Sequence, residues 1–202
     1  MLGRAGVAAA RALPVAAMDV QELLRGRATV HDYEPKPVPE GALERAFEAA
    51  VAAPNHRLTE PWRFVLAGPV VRAKLIQIAI GLKAKGAPPR PELVETTNRK
   101  MGRSAELVVV CQVKHPDPET AHEDYAAVAC AIHNLSLSLW AEGVGSKWST
   151  GGVTQHPDTY ALLGVNPEQE KIVGFVWVGM PAGVASKAKR RLALNDVVRR
   201  VP

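Results

Sequence analysis

The sequence predicts an α+β domain in which a small sheet is flanked by helices. Its periodic segments follow the order helix, helix, strand, two helices, strand, helix, strand, helix, strand. The strand segments are short branched-apolar runs, whereas the helical ones repeat their apolar residues at three and four. Prolines and glycines stand at the boundaries between them, where a helix has to stop or a chain has to turn.

In chain order, Met18 to Gly26 reads as a short helix capped by Asp19, with Val20, Leu23 and Leu24 on one face. Pro35 to Pro39 is an extended, proline-punctuated linker. Glu40 to Ala53 is an amphipathic helix with Leu43, Phe47, Ala50 and Val51 at helical spacing. Trp62 to Gly68 is the first strand, and Val70 to Lys85 a helix with a broad apolar surface. Pro88-Pro89-Arg90-Pro91 breaks the chain before a polar helix, Glu92 to Ser104. Glu106 to Val113 is a buried strand. Pro118 to Gly143 is the longest helix, with Tyr125, Val128, Ala129, Ile132, Leu135, Ser136 and Leu139 on its apolar stripe. Its small residues permit another helix to come close. Gly143 to Gly152 holds a short strand ending in two glycines, Gln155 to Leu163 a short helix, and Lys171 to Met180 the last strand.

At 202 residues this is one domain with tails: an extension over 1–17, a body over 18–186 and a basic tail over 187–202. Residues 1–17 are Ala-rich, contain Arg4 and Arg11 and lack acids, which is the composition of a transit peptide or weak signal peptide. Arg11 and Pro14 interrupt the apolar stretch, so the segment reads as a disordered extension ahead of a start at Met18. No apolar run approaches the roughly 18 residues of a membrane span. The net charge of +5 sits at the two ends, and the body is slightly acidic. A nucleic-acid binder carries its basic footprint on a folded face, so nucleic acid is not the expected partner. Cys111 and Cys130 lie in apolar sequence and read as two buried thiols of a reducing, cytoplasmic compartment, with organellar targeting by residues 1–17 left open. No H-E-x-x-H, C-x-x-C, G-x-S-x-G or P-loop pattern is present, which argues against a zinc site, a serine hydrolase and an NTPase.

Chemistry concentrates in the stretch A-A-P-N-H-R-L-T-E-P-W-R-F-V-L-A-G, Ala52 to Gly68, a polar loop held between a helix and a strand. A second such stretch is G-V-G-S-K-W-S-T-G-G, Gly143 to Gly152, and a third is Arg25-Gly26-Arg27-Ala28-Thr29. Together these resemble the FMN-dependent nitroreductase family, whose signatures are A-P-S/D-x-x-x-x-Q-P-W-R-F, W-R-S-G and R-R-S. The similarity runs from Met18 to about Pro181 and is nearest to the short bacterial members, whose loop carries a His where this chain has His56.

That resemblance implies a mainly antiparallel sheet, a homodimer built on the long helix, and FMN at the seam with NAD(P)H as co-substrate. It implies Arg27 on the flavin phosphate, with Ala28 and Thr29 completing that triplet. Thr29 and His56 would meet the ribityl chain or ring edge, and Trp148, Ser149 and Thr150 the isoalloxazine. Ala28 and Ser149 stand where the family carries arginine. The flavin performs the chemistry, so no catalytic side chain and no metal ligand is expected. The expected activity is hydride transfer from NAD(P)H through flavin to a nitroaromatic, quinone or similar small acceptor. A non-catalytic flavin carrier or regulatory protein on the same fold is the alternative.

Overall fold

The computed structural model describes residues 19–183 and 192–201. The predicted extension over 1–17 and the basic residues Lys187, Lys189, Arg190 and Arg191 lie outside the described residues.

Four strands form one sheet: β1 (Trp62–Leu66), β2 (Glu106–Val113), β3 (Gly145–Ser149) and β4 (Glu170–Gly179). Their order across the sheet is β1-β2-β4-β3, and every pairing is antiparallel. The two central strands are buried on both faces, which is why β2 reads as an unbroken branched-apolar run. Alternation along β2 and β4 divides the core. Val108, Val110, Val176 and Val178 face α2 (Ala42–Val51) and α5 (Pro118–Ala141). Leu107, Val109, Cys111, Phe175 and Trp177 face the other layer, made of α3 (Pro69–Ala84), α4 (Pro91–Gly102) and α7 (Pro157–Leu163).

Helix α5 is set by its ends as much as by its stripe. The Asp117 carboxylate accepts the Thr120 N–H at 2.8 Å and Pro118 opens the first turn, a strong start signal. Those hydrogen bonds from Thr120 hold the Asp117 carboxyl below its usual range. At the far end Gly143 takes a φ of 75°, a left-handed exit that favours glycine, and turns the chain straight into β3. The short helix α1 (Val20–Gly26) then packs on the closing turn of α5, where a side chain at Gly26 would lie 3.7 Å from the Trp140 indole nitrogen.

Three expectations need correction. Cys111 is buried, but Cys130 is exposed, because its turn of α5 points away from the sheet. Tyr125 likewise leaves the apolar stripe and is 41% exposed. The helix expected over Gln155 to Leu163 is α7 and starts at Pro157, because His156 is extended and caps it; a separate single turn, α6 (Gly152–Gln155), precedes it and is not among the predicted elements. In the tail, the described helix is a single turn, α8 (Leu194–Val197), with its apolar residues exposed.

The segment after α1 is sewn onto the free edge of β3. Val30 donates its N–H to Ser146 O at 3.1 Å, and the Tyr33 hydroxyl lies 2.9 Å from Val30 O and 3.1 Å from Trp177 O. Burial pushes the Tyr33 phenol pKa up. This docking needs Gly145 to lack a side chain, since a Cβ there would stand 2.8 Å from the Val30 Cβ. Gly145→Ala is therefore expected to cost about 1–3 kcal/mol of stability by denaturant unfolding; an unchanged midpoint would mean that Val30 does not pack there.

Candidate functional site

The predicted residues fall into two groups at opposite ends of α5. The first gathers around β3. Arg27 caps α1 with its N–H on Leu23 O, and the backbone then runs extended beside β3, with Thr29 bridged in parallel to Ser146. In an extended chain alternate side chains point to opposite sides. Ala28 and Val30 are accordingly buried, and Thr29 is turned outward. Ala28 can therefore offer a ligand only its backbone. Arg27 is half-buried and makes no ion pair among the described residues.

Along β3 the same alternation separates residues that the sequence placed together. Lys147 and Ser149 share one face of the sheet, and Trp148 occupies the other. The Trp148 indole lies across Gly174, where a Cβ would come within 2.2 Å of the indole nitrogen. Ser149 Oγ accepts the Trp177 indole N–H at 2.8 Å, which fixes both side chains. On this face β3 and β4 floor a pocket of about 550 Å³ roofed by α3 and α4. Ser149, Thr150 and Gly151 form one wall, Phe175 and Trp177 the floor, and Lys83, Lys100 and Lys147 the rim. Phe175 and Trp177 meet edge to face, with centroids 6.0 Å apart. Among the described residues no acidic side chain lines the pocket.

Lys147 is the most constrained of the three lysines. Its Nζ donates to Lys100 O at 3.2 Å and stands 5.6 Å from the centroid of Trp177. Burial, and then repulsion from Lys100, pull its pKa below that of a free lysine; the field of Asp32 opposes this more weakly. Sequence reasoning missed all three lysines. Lys147 was legible as the residue two before Ser149 on a strand, whereas Lys83 and Lys100 reach the pocket only through the packing of α3 and α4. A larger cavity of about 680 Å³, lined by Tyr33, Arg72, Arg103 and Glu106, contains none of the predicted residues and lacks such an aromatic floor.

The second group is the His56 loop. Asn55 Oδ1 accepts the Glu60 N–H at 2.8 Å, and Leu58 and Glu60 take positive φ, so the loop is a closed turn. It is tied to the first turns of α5. Glu123 receives Arg57 Nε at 2.8 Å and approaches His56 Nδ1 at 3.2 Å, and the Thr59 hydroxyl donates to the buried Asp124. The bonds from Arg57 and His56 hold the Glu123 carboxyl below its usual range. The His56 imidazole remains mostly exposed. From Glu123 to Trp140 the helix rises about 25 Å, so His56 is not brought to the Arg27 and Ser149 group within one chain.

Two measurements check this electrostatic description. The Lys147 ammonium is expected to titrate at lower pH than a lysine of the unfolded chain by NMR of methylated lysines, and Lys100→Ala should move it part of the way back up; an unshifted titration would place Lys147 in open water. The depressed Glu123 pKa means that its tether contributes above the ordinary carboxylate range and is lost as the pH falls through the folded value. The protection factors of the amides in residues 55–60, with the intrinsic pH dependence of exchange divided out, should therefore fall on acidification in the native chain. In Glu123→Gln they should be low throughout.

Comparison with known proteins agrees with this architecture. Residues 24–180 match the Nitroreductase family. YdjA of Escherichia coli, named as an NAD(P)H nitroreductase, is 31% identical over 182 residues, covering 84% of this chain and 92% of that protein. A nitroreductase from Bacteroides fragilis, solved with bound FMN, superposes with a TM-score of 0.70 at 26% identity over 92% of this chain and all of its own. A nitroreductase-like protein from Bacillus cereus superposes with a TM-score of 0.80 at 23% identity, over 94% of this chain and 99% of its own. A fold, a sheet order and a family match that cover the same residues lead to one conclusion: this chain belongs to the nitroreductase family.

Proposed function

We propose that the protein is an FMN-dependent oxidoreductase that moves a hydride from NAD(P)H through flavin to a nitroaromatic, quinone or similar planar acceptor. The observation that carries this reading is the pocket floored by Phe175 and Trp177 and walled by Ser149 and Thr150, without an acidic side chain among the described residues, together with Arg27 on the segment that runs beside the start of β3. An aromatic floor with hydroxyl and backbone donors on one wall suits a planar heterocycle. A guanidinium without an ion partner among the described residues suits a phosphate. From Arg27, beside the start of β3, to Ser149 at its end is a span on the order of 15 Å. That is the scale of an extended ribityl phosphate and its ring, so the residues present fit FMN.

When bound, FMN supplies the redox chemistry, accepting a hydride from the nicotinamide and passing reducing equivalents to the acceptor. The chain's own residues bind and orient. Arg27 would hold the phosphate, the Ala28 backbone and the Thr29 hydroxyl would border the ribityl chain, and Ser149 and Thr150 would position the ring, whereas Trp148 lies on the opposite face of the sheet across Gly174. The Trp177 to Ser149 hydrogen bond keeps that wall rigid, and α3 and α4 cover the pocket on its other side. No side chain is asked to act as acid or base.

His56 enters from a second copy. The separation of about 25 Å between His56 and the Arg27 group along α5 supports a site completed across a homodimer. So does the outer face of α5, where Ala126 and Cys130 are exposed on a helix of otherwise apolar character. Small side chains there let a symmetry-related helix pack closely. The chain works in the cytoplasm in this reading; among the described residues no helix is long and apolar enough to cross a membrane.

Anaerobic addition of NADPH or NADH to the FMN-loaded protein is expected to bleach the visible flavin band, and a nitroaromatic or quinone should restore it. Bound flavin that stays oxidised would leave a carrier rather than an enzyme. Arg27→Ala is expected to weaken FMN binding by about 1.5–3 kcal/mol, the worth of a charge-assisted hydrogen bond. An unchanged affinity would remove Arg27 from the phosphate.

A further inference from the structure

The lysine rim of the β3–β4 pocket is more than a flavin ring requires. Lys83, Lys100 and Lys147 line one pocket, and among the described residues no carboxylate lines it. Among the described residues none of the three is paired with an acid. Lys83 Nζ instead donates to the buried Thr97 hydroxyl at 3.2 Å, and Lys147 Nζ to the Lys100 carbonyl at 3.2 Å. Neutral acceptors hold both ammonium groups in place without cancelling their charge. Like charges gathered over a partly desolvated surface attract a counter-anion more strongly than the same charges spread in water.

The remaining lining sets the shape of that anion. Ala79, Leu82, Met101, Val153, Phe175 and Trp177 are apolar, and a small inorganic ion would leave them uncovered. A planar aromatic acid lying over the flavin against Ala79, Leu82 and Met101 satisfies both halves, with its carboxylate at the lysine rim. Resting on the oxidoreductase reading above, we propose that Lys83, Lys100 and Lys147 make this site selective for electron acceptors that carry an anionic substituent, such as nitrobenzoates and carboxylated quinones, over neutral molecules of the same shape. The half-buried Lys147 is the principal determinant, because its charge is the least solvated of the three.

The test uses the FMN-loaded protein. The values of kcat/KM for 4-nitrobenzoate and for its neutral analogue 4-nitrobenzamide are compared in the wild type and in Lys147→Met, Lys100→Met and Lys83→Met. In parallel, benzoate is titrated as a dead-end ligand by calorimetry, and the FMN affinity of each variant is measured. The wild type is expected to prefer the anion by about tenfold or more, the equivalent of one charge-assisted hydrogen bond, and the preference should fall with ionic strength. Lys147→Met should collapse that ratio toward one, with smaller losses for the other two. Benzoate should bind the FMN-loaded protein and lose affinity in parallel with the ratio.

A wild-type ratio near one overturns the proposal. So does benzoate binding that disappears on loading FMN, since the lysines would then serve the flavin itself. A loss of FMN affinity in Lys147→Met equal to the loss in the ratio has the same meaning, and so does a change confined to the NADPH-to-NADH preference. If the loaded protein oxidises neither nicotinamide, the redox reading falls, and the benzoate titration still decides whether the pocket takes aromatic anions.

Discussion

Everything in this fold depends on burying one face of α5 against the sheet. Val128, Ile132, Leu135 and Leu139 are fully enclosed between that helix and the valines of β2 and β4. Because the helix is 24 residues long and held rigidly at both ends, it acts as a ruler. Its first turns hold the His56 loop through Glu123 and Asp124. Its last turn holds α1 and delivers the chain into β3 through Gly143. A core constraint thereby fixes the distance between two sets of site residues. A single chain does not close that distance, and the proposed dimer on the outer face of the same helix is what would.

The electrostatics of the site follow from where the backbone turns side chains. Extended backbone beside β3 buries Ala28 and turns Thr29 outward, and a charged side chain at the buried position 28 would be costly. On β3 itself the uncharged Ser149 has a cation as its near neighbour. The strand period of two places Lys147 on the same face, against the same Trp177 to which Ser149 is bonded. The net result is a pocket that keeps its cationic rim while its wall carries a hydroxyl.

Much of this was legible in the residues. The branched run of β2, the capped and proline-opened start of α5 and the glycine exit at Gly143 each carry their own physical signal. The elements therefore lie where the periodicity puts them. The candidate residues were legible only through the spacing of three short motifs, because a lone arginine, histidine or tryptophan has no intrinsic mark of a site. What escaped was tertiary. Cys130 sits in an apolar run, but helix phase at that turn directs it outward. The single turn of α6 falls in a Gly-rich stretch too short for any periodicity to show. Lys83 and Lys100 belong to a roof whose placement over Trp177 no local pattern records. Trp148 and Ser149 read as one contact surface, and the sheet sends them to opposite faces.

The central claim is that each flavin site takes Arg27 from one chain and His56 from another. The most direct measurement is FMN binding by mixed dimers, made by co-expressing an Arg27→Ala chain with a His56→Ala chain under separate affinity tags. Each variant alone is weakened at every site. A shared site predicts that the doubly tagged dimer regains one tight site of wild-type affinity, alongside one that is doubly impaired. If the mixed dimers bind FMN no more tightly than their parents, the two residues do not meet across the interface, and the account of α5 as the ruler of the site is wrong.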